Sequence, residues 1–90
     1  MTLDSGTDLE RRLLGLMAEV TGVDLAGNLD LPLYAAGLLD SLGTVSLMVA
    51  CEEALGVNIS PAEFDPAAWA TPRLFLADIR RRLAAGGPRA

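Results

Sequence analysis

The sequence predicts an all-α domain, a small four-helix bundle with a long first loop and a short third helix. Apolar residues recur at three- and four-residue steps in several segments, which is the helical period. Several of these segments open with residue patterns typical of helix starts. Only four residues are aromatic although 51% are hydrophobic, so the core must consist mainly of aliphatic side chains, which suit packed helices.

The first predicted helix begins at a capping box, Thr7 and Glu10, whose side chains at this spacing satisfy free backbone N–H groups. The helix is expected to end near residues 21–22, and residues 1–6 to form a loose tail. Apolar residues then follow the helical period at Leu9, Leu13, Leu16, Met17 and Val20.

A long loop is predicted over residues 23–39. Turn residues alternate there with apolar ones, which indicates a loop packed by its own inward-facing side chains. The alternation of Leu29, Leu31 and Leu33 is also compatible with a strand. Pro32 and the lack of a partner strand favour the loop.

The second predicted helix runs from Ser41 to about Leu55. Asp40 is expected at the N-cap, because its carboxylate can accept the free N–H groups of the first turn, and Ser41 then presents its hydroxyl at the surface. Gly56 suits the left-handed position that ends a helix. The core-facing stripe of this helix is predicted to consist of Thr44, Leu47, Met48, Cys51 and Leu55.

The same helix carries a second apolar stripe, formed by Leu42, Val45 and Val49 and continued by Glu52 and Glu53. A helix that is apolar on both sides is either buried on most sides or exposes a patch that a partner binds. The sequence leaves both alternatives open for Val45. Cys51 is interpreted as a small buried hydrophobe rather than a reactive thiol.

After the second helix, the sequence contains three predicted helix starts that each include a proline. A short helical turn is predicted to start at Pro61, with Ser60 as its N-cap and Glu63 as its capping glutamate. A second short turn is predicted from Asp65-Pro66 to Trp69, because an N-cap residue again precedes a proline. Thr71-Pro72 opens a final helix to about residue 83, followed by a tail from about 85 to 90. Phe64 and Trp69 are interpreted as core side chains. The inward positions of the final helix are predicted to be Leu76, Ile79 and Leu83.

Residues 33–79 resemble the acyl and peptidyl carrier proteins, which carry phosphopantetheine on the serine of an Asp-Ser-Leu motif, here Asp40-Ser41-Leu42. Within this superfamily the sequence is most similar to D-alanyl carrier proteins. Three separated blocks carry that similarity: residues 37–45, Glu63-Phe64-Asp65 and Trp69-Ala70-Thr71-Pro72.

The resemblance implies the acyl carrier protein fold and a covalent 4′-phosphopantetheine on Ser41, derived from coenzyme A. It also implies a non-catalytic protein that holds an acyl or aminoacyl group as a thioester. The implied partners are a phosphopantetheinyl transferase, an ATP-dependent adenylating enzyme and a downstream acyltransferase. Transferase and partner recognition is expected from Asp40, Leu42, Val45, Val49, Glu52, Glu53 and Glu63.

The function expected first is a free-standing carrier in polyketide or nonribosomal peptide biosynthesis, because the Arg-, Ala- and Gly-rich composition is typical of GC-rich coding. One alternative is a D-alanyl carrier for teichoic acid alanylation. An alternative of another class is an unmodified helical module that binds a protein through Leu42, Val45 and Val49. Such a module would not need the hydroxyl of Ser41.

Charge and composition exclude several other classes of function. The net charge of −5 without a dense basic patch argues against a nucleic-acid partner, and the Arg80-Arg81-Arg82 run is interpreted as a solvated helix face. The chain has one cysteine and no histidine, so an internal disulfide, a metal site and Cys/His catalysis are not expected. Neither a membrane span nor a signal peptide is apparent. We expect a single cytoplasmic, monomeric carrier domain over residues 1–90.

Overall fold

Three α-helices and a one-turn 3₁₀ helix are the elements whose full extent lies within the described residues, and Ala62 is a further residue in 3₁₀ conformation. The computed structural model describes residues 5–60, 62 and 64–85. Helix α1 spans Ser5–Thr21, α2 spans Ser41–Leu55, and α3 spans Pro72–Ala85. The 3₁₀ turn spans Pro66–Trp69. The all-α fold predicted from the sequence, of the acyl carrier protein type, is confirmed.

The fourth helix of the predicted bundle is not confirmed. Asp65 caps the 3₁₀ turn by accepting the N–H of Ala67, as its position before Pro66 predicts, but the turn is only four residues long. The other proposed start of a short third helix depends on Pro61 and Glu63, which lie outside the described residues. The described chain therefore contains three α-helices joined by long connections.

The start of α1 and the end of α3, at Ala85 rather than about residue 83, differ from the sequence prediction, and the other helix ends agree with it. Helix α1 begins at Ser5, so Thr7 lies within its first turn rather than before it, and the predicted loose tail is shorter by two residues. Helix α2 has the predicted bounds, and Gly56 ends it with a left-handed φ of 74°. Thr71 caps α3 by accepting the N–H of Leu74. The rest of both predicted tails lies outside the described residues.

The core lies between the three helices and is closed by residues of the connecting loops. The predicted core stripe of α2 is confirmed, because Thr44, Leu47, Met48 and Cys51 are buried and Leu55 is half-buried. The buried hydrophobic residues outside α2 are Leu13, Met17, Leu25, Leu33, Leu39, Val57, Ile59, Trp69, Phe75, Leu76 and Ile79.

The loop over residues 22–39 is fastened to the start of α3. Its described residues contain no strand, so the loop prediction is confirmed. The N–H of Leu33 donates to the carbonyl of Ala70 at 2.7 Å, and the N–H of Arg73 donates to the carbonyl of Leu29 at 2.9 Å. The guanidinium of Arg73 also donates to the Asp30 carboxylate, which lowers the pKa of Asp30. These contacts fix the loop that leads into α2.

The basic run on α3 is not simply a solvated face. Asp78 is buried, with 3% of its side chain exposed, and accepts hydrogen bonds from Arg81 and Arg82. Its carboxylate also accepts the indole N–H of Trp69 at 2.8 Å. The predicted solvated face is correct for Arg80 and Arg81, whose side chains are exposed, but the interpretation did not include the buried acceptor Asp78.

Candidate functional site

Asp40 defines the start of helix α2. Its backbone is extended, and its Oδ1 accepts the N–H of Gly43 at 2.7 Å, which is the N-cap predicted from the sequence. The carbonyl of Asp40 accepts the N–H of Thr44 at 2.8 Å. One residue thus satisfies two donors of the first turn and sets the direction in which α2 leaves the loop.

Ser41 is the first residue of α2 and is exposed. Its hydroxyl makes no hydrogen bond to any of the described residues. Polar groups at this end of a helix lie near the positive end of the helix dipole, which favours a nearby negative charge such as a phosphate. The hydroxyl of Ser41 is therefore both accessible and placed where an attached phosphate would be stabilised.

Gly43 of α2 lies next to residues of the loop and of α1. A Cβ at this position would lie 3.2 Å from Asp40 Oδ1, 3.4 Å from a methyl carbon of Leu39 and 3.6 Å from one of Val20. The distance of 3.2 Å between this Cβ and Asp40 Oδ1, the oxygen that accepts the capping hydrogen bond, is shorter than an ordinary van der Waals contact. Gly43 consequently lets the cap and the α1–α2 contact form at the same place.

A chain of hydroxyl groups links the first loop to the start of α2. The hydroxyl of Thr44 donates to the carbonyl of Asp40 at 2.7 Å. The phenol oxygen of Tyr34 lies 2.8 Å from the same Thr44 oxygen. Sequence reasoning placed Thr44 on the core stripe but did not connect Tyr34 with the site, because the two residues are ten positions apart and meet only through the fold of the loop.

Two grooves share Asp40 as a lining residue. The first has a volume of about 540 Å³, and its walls include Tyr34, Ser41, Thr44, Val45, Met48 and Phe64. The second has a volume of about 530 Å³ and is lined by Glu19, Val20, Asp40, Leu42, Gly43 and Ser46. Ser41 therefore contributes to the wall of the first groove but not of the second.

The second apolar stripe of α2 is an exposed patch. Leu42 is 76% exposed, Val45 46% and Val49 44%, which resolves the alternative that the sequence left open for Val45. Large apolar side chains grouped on one exposed helix face indicate a protein-binding surface. Together with the first groove, this patch frames Ser41.

The acidic residues predicted to recognise partners occupy different environments. Glu53 is exposed near the end of α2, whereas Glu52 is half-buried and its carboxylate accepts the N–H of Ile59 at 3.1 Å. Glu52 thus has a structural contact that fastens the segment after α2. Glu63 lies outside the described residues.

The aromatic residues divide between core and groove. Trp69 is fully buried, as predicted, and makes edge-on contacts with Phe64 and Phe75 at centroid distances of 4.6 and 4.9 Å. Phe64 is only half-buried and forms part of the wall of the first groove.

Comparison with known proteins identifies the family. The sequence profile of the family described as "phosphopantetheine attachment site" matches residues 11–79, which include the capped start of α2, both grooves and most of α3. The chain belongs to this family. It is a phosphopantetheine carrier protein, and its cofactor is covalently attached 4′-phosphopantetheine.

Several similar carrier proteins cover most of the chain. D-alanyl carrier protein 1 of Lactiplantibacillus plantarum is 34% identical over 79 residues, which are 88% of this chain and 95% of the relative. The D-alanyl carrier protein of Lacticaseibacillus casei is 38% identical over 74 residues, which are 81% and 91% of the two chains. That of Enterococcus faecalis is 34% identical over 73 residues, covering 80% and 94%.

The residues of this carrier protein fit the cofactor. A phosphodiester requires an accessible hydroxyl, which Ser41 has, and the adjoining groove leaves room for an extended chain. The single thiol of the polypeptide does not compete in thiol chemistry, because burial, Glu52 and Asp78 raise the pKa of Cys51 to about 12. The thiol that carries cargo in this family is that of phosphopantetheine, and it is chemically distinct from Cys51.

No helix among the described residues has both the length and the apolar character that a membrane span requires.

Proposed function

We propose that Ser41 carries the 4′-phosphopantetheine and that the protein is an aminoacyl carrier of the D-alanyl carrier type. The hydroxyl of Ser41 at the capped N-terminus of α2 is exposed and makes no hydrogen bond to the described residues, which supports the attachment site. The names of the relatives support the cargo, because the three described above are D-alanyl carrier proteins with similarity over most of their length.

This proposal differs from the function that the sequence suggested first. Composition favoured a carrier in natural-product biosynthesis, with D-alanyl transfer for teichoic acid alanylation as the alternative. The relatives support the alternative better, since composition is shared by all proteins of a GC-rich genome whereas similarity over 80% or more of the chain concerns this protein itself.

The chain's own residues present the cargo rather than transform it. The cofactor supplies a thiol on a flexible arm that holds an acyl group as a thioester. Asp40 holds the start of α2 so that the Ser41 hydroxyl faces outward. Leu42, Val45 and Val49 offer an apolar surface next to that hydroxyl, on which partner enzymes dock. The chain contains no His or Lys to act as a general base beside a nucleophile.

The chemistry is therefore assigned to partners. A phosphopantetheinyl transferase attaches the cofactor, an ATP-dependent adenylating enzyme loads the amino acid, and an acyltransferase removes it. We expect this to take place in the cytoplasm, where ATP and coenzyme A are available, with the carrier acting as a monomer.

The mass of the intact protein tests this function. The wild type, Ser41→Ala and Ser46→Ala are incubated with coenzyme A, magnesium and a broad-specificity phosphopantetheinyl transferase. Ser46 is the matched control, because it is a second exposed serine on α2. A gain of one phosphopantetheine in the wild type and in Ser46→Ala, but not in folded Ser41→Ala, is the expected result.

Two outcomes would contradict the proposal. Modification of Ser41→Ala would assign the attachment to another residue. Absence of modification in protein isolated from its native host would instead support the unmodified interaction module, which needs the apolar patch but no hydroxyl. Loading of the modified protein with radiolabelled D-alanine and other amino acids by its adenylating enzyme then tests the cargo.

A further inference from the structure

Residues 32–39 form a closed turn immediately before α2. The carbonyl of Leu33 accepts the N–H groups of Leu38 and Leu39 at 2.9 and 3.2 Å. The chain reverses its direction at Gly37, whose left-handed φ of 80° is readily adopted by glycine. These hydrogen bonds hold the turn together, but they do not connect it to the helix that follows.

The hydroxyl groups of Tyr34 and Thr44 connect this turn to the first turn of α2. The hydroxyl of Thr44 has one proton and donates it to the carbonyl of Asp40, a group that can only accept. The contact of 2.8 Å between the two hydroxyl oxygens therefore has Tyr34 as its donor. The same carbonyl also accepts the N–H of Thr44, so two hydrogen bonds hold the peptide group between Asp40 and Ser41.

This peptide group sets the direction of the Ser41 side chain. During attachment, Oγ of Ser41 bonds to the phosphorus of coenzyme A that bears the pantetheine. The bond from this phosphorus to the adenosine bisphosphate breaks, the leaving group takes the electron pair, and the serine proton passes to a base of the transferase. The attacking oxygen must lie in line with the bond that breaks, so a small displacement of Oγ lowers the rate.

We infer that Tyr34 is a positioning residue for the modification of Ser41. Through Thr44 it holds the Asp40-Ser41 peptide against the preceding turn and so aligns the serine hydroxyl. The inference rests on the proposed attachment to Ser41. Thr44 is buried, with 6% of its surface exposed, and Tyr34 is half-buried. The exposed patch of Leu42, Val45 and Val49 is not part of this link, so we expect the link to affect alignment rather than the affinity for the transferase.

Four variants separate this link from the stability of the fold. Tyr34→Phe removes the donor, and Thr44→Val removes both the acceptor and the bond to the carbonyl of Asp40. Thr44→Ser keeps the hydroxyl and is the conservative variant. Ile79→Val is the stability control, because Ile79 is fully buried in α3 and the loss of one buried methylene costs about as much stability as the loss of one hydrogen bond.

The experiment follows single turnovers of the apo protein, with the transferase and coenzyme A in excess. It gives a maximal rate of attachment and the transferase concentration at half-maximal rate, at a temperature where urea unfolding shows every variant to be folded. We expect the maximal rate to fall about three- to tenfold in Tyr34→Phe, which is the factor that one hydrogen bond supplies, and at least as far in Thr44→Val. Thr44→Ser and Ile79→Val should keep nearly the wild-type rate, and the half-maximal concentration should change little in any variant.

The double variant of Tyr34→Phe and Thr44→Val tests whether the two hydroxyl groups act as one link. Its maximal rate should equal that of Thr44→Val alone, since the link is already broken there. Additive losses in the double variant would overturn the inference. The same holds for an unchanged rate in Tyr34→Phe, for an equal loss in Ile79→Val, and for a loss confined to the half-maximal concentration. A wild type that gains no mass, or a Ser41→Ala variant that does, would instead contradict the proposed function.

Discussion

The indole N–H of Trp69 donates a hydrogen bond of 2.8 Å to the carboxylate of Asp78, and both side chains are buried. Trp69 packs edge-on against Phe64, which lines the groove beside Ser41. Asp78 also binds Arg81 and Arg82 on its own helix. Through the hydrogen bond between Trp69 and Asp78, α3 holds the 3₁₀ turn in place and supports one wall of the candidate site.

Removal of the Asp78 carboxylate is expected to destabilise the protein. Asp78→Ala leaves the buried indole N–H of Trp69 without an acceptor, which lowers the free energy of unfolding by about 1–3 kcal/mol. Asp78→Asn keeps an acceptor and should cost less. Urea unfolding followed by the fluorescence of Trp69 measures both. Arg81→Ala is the control, since Arg81 is 70% exposed and its removal should cost less than about 1 kcal/mol. Equal losses for Asp78→Ala and Arg81→Ala would show that the Trp69 contact contributes nothing.

Asp40 is expected to have two separable effects. Asp40→Ala removes the cap of α2 and should lower the free energy of unfolding by about 1 kcal/mol, whereas Asp40→Asn keeps a good capping residue and should be nearly neutral. If the carboxylate also positions the transferase, both variants are modified more slowly than the wild type. Urea unfolding and the rate of phosphopantetheine attachment are measured side by side. Normal modification of Asp40→Asn would restrict Asp40 to capping.

Alanine substitutions at Gly43 and Gly15 test whether the close contact between position 43 and Asp40 affects stability. A Gly→Ala change inside a helix normally stabilises it by about 0.5–1 kcal/mol. Gly15 in α1 has nothing within 4 Å of an added Cβ, so Gly15→Ala should show this gain. The added Cβ at Gly43 would lie 3.2 Å from Asp40 Oδ1, so Gly43→Ala should gain less or lose stability. Chemical denaturation compares the two variants, and equal gains would mean that the cap adjusts freely.

Cys51 should be inert in the folded protein. Its pKa of about 12 leaves a thiolate fraction on the order of one in a thousand at pH 9, and its side chain is buried. The apo protein is expected to react with a thiol reagent such as iodoacetamide only after unfolding. The modified protein should react at one site, the thiol of phosphopantetheine. Rapid labelling of the native apo protein would indicate that the core around Cys51 opens readily.

Val45 and Leu74 are equally exposed apolar side chains, and a charge at each position tests which helix partners contact. Each is 46% exposed, but Val45 lies on α2 beside Ser41 and Leu74 lies on α3. A charge at Val45 should weaken binding of the adenylating enzyme, because it places an unpaired charge in an apolar contact. We expect Val45→Asp to raise the KM for the carrier in the loading reaction and Leu74→Asp to leave it close to the wild-type value. Similar values for both variants would move the docking surface away from α2.

The sequence by itself determined the start of α2 and the exposure of Ser41. These features are local, because an N-cap depends on Asp40 and on backbone donors within three or four residues of it. The core stripe of α2 was equally predictable, since it follows the helical period. The family could also be predicted from three short sequence motifs, each made of neighbouring residues.

Only the tertiary structure decided the surroundings of that serine. Three hydrogen bonds join residues that lie on different elements or across a turn. They are Tyr34 with Thr44, Trp69 with Asp78, and Ile59 with Glu52. Helical periodicity specifies which side of a helix is apolar, but it does not specify which segment covers it. Val45 remains exposed, and the loop over residues 22–39 is fastened to the start of α3. Residues of this loop, of α2 and of positions 64–66 meet around the groove next to Ser41, and no local pattern in the sequence encodes that meeting.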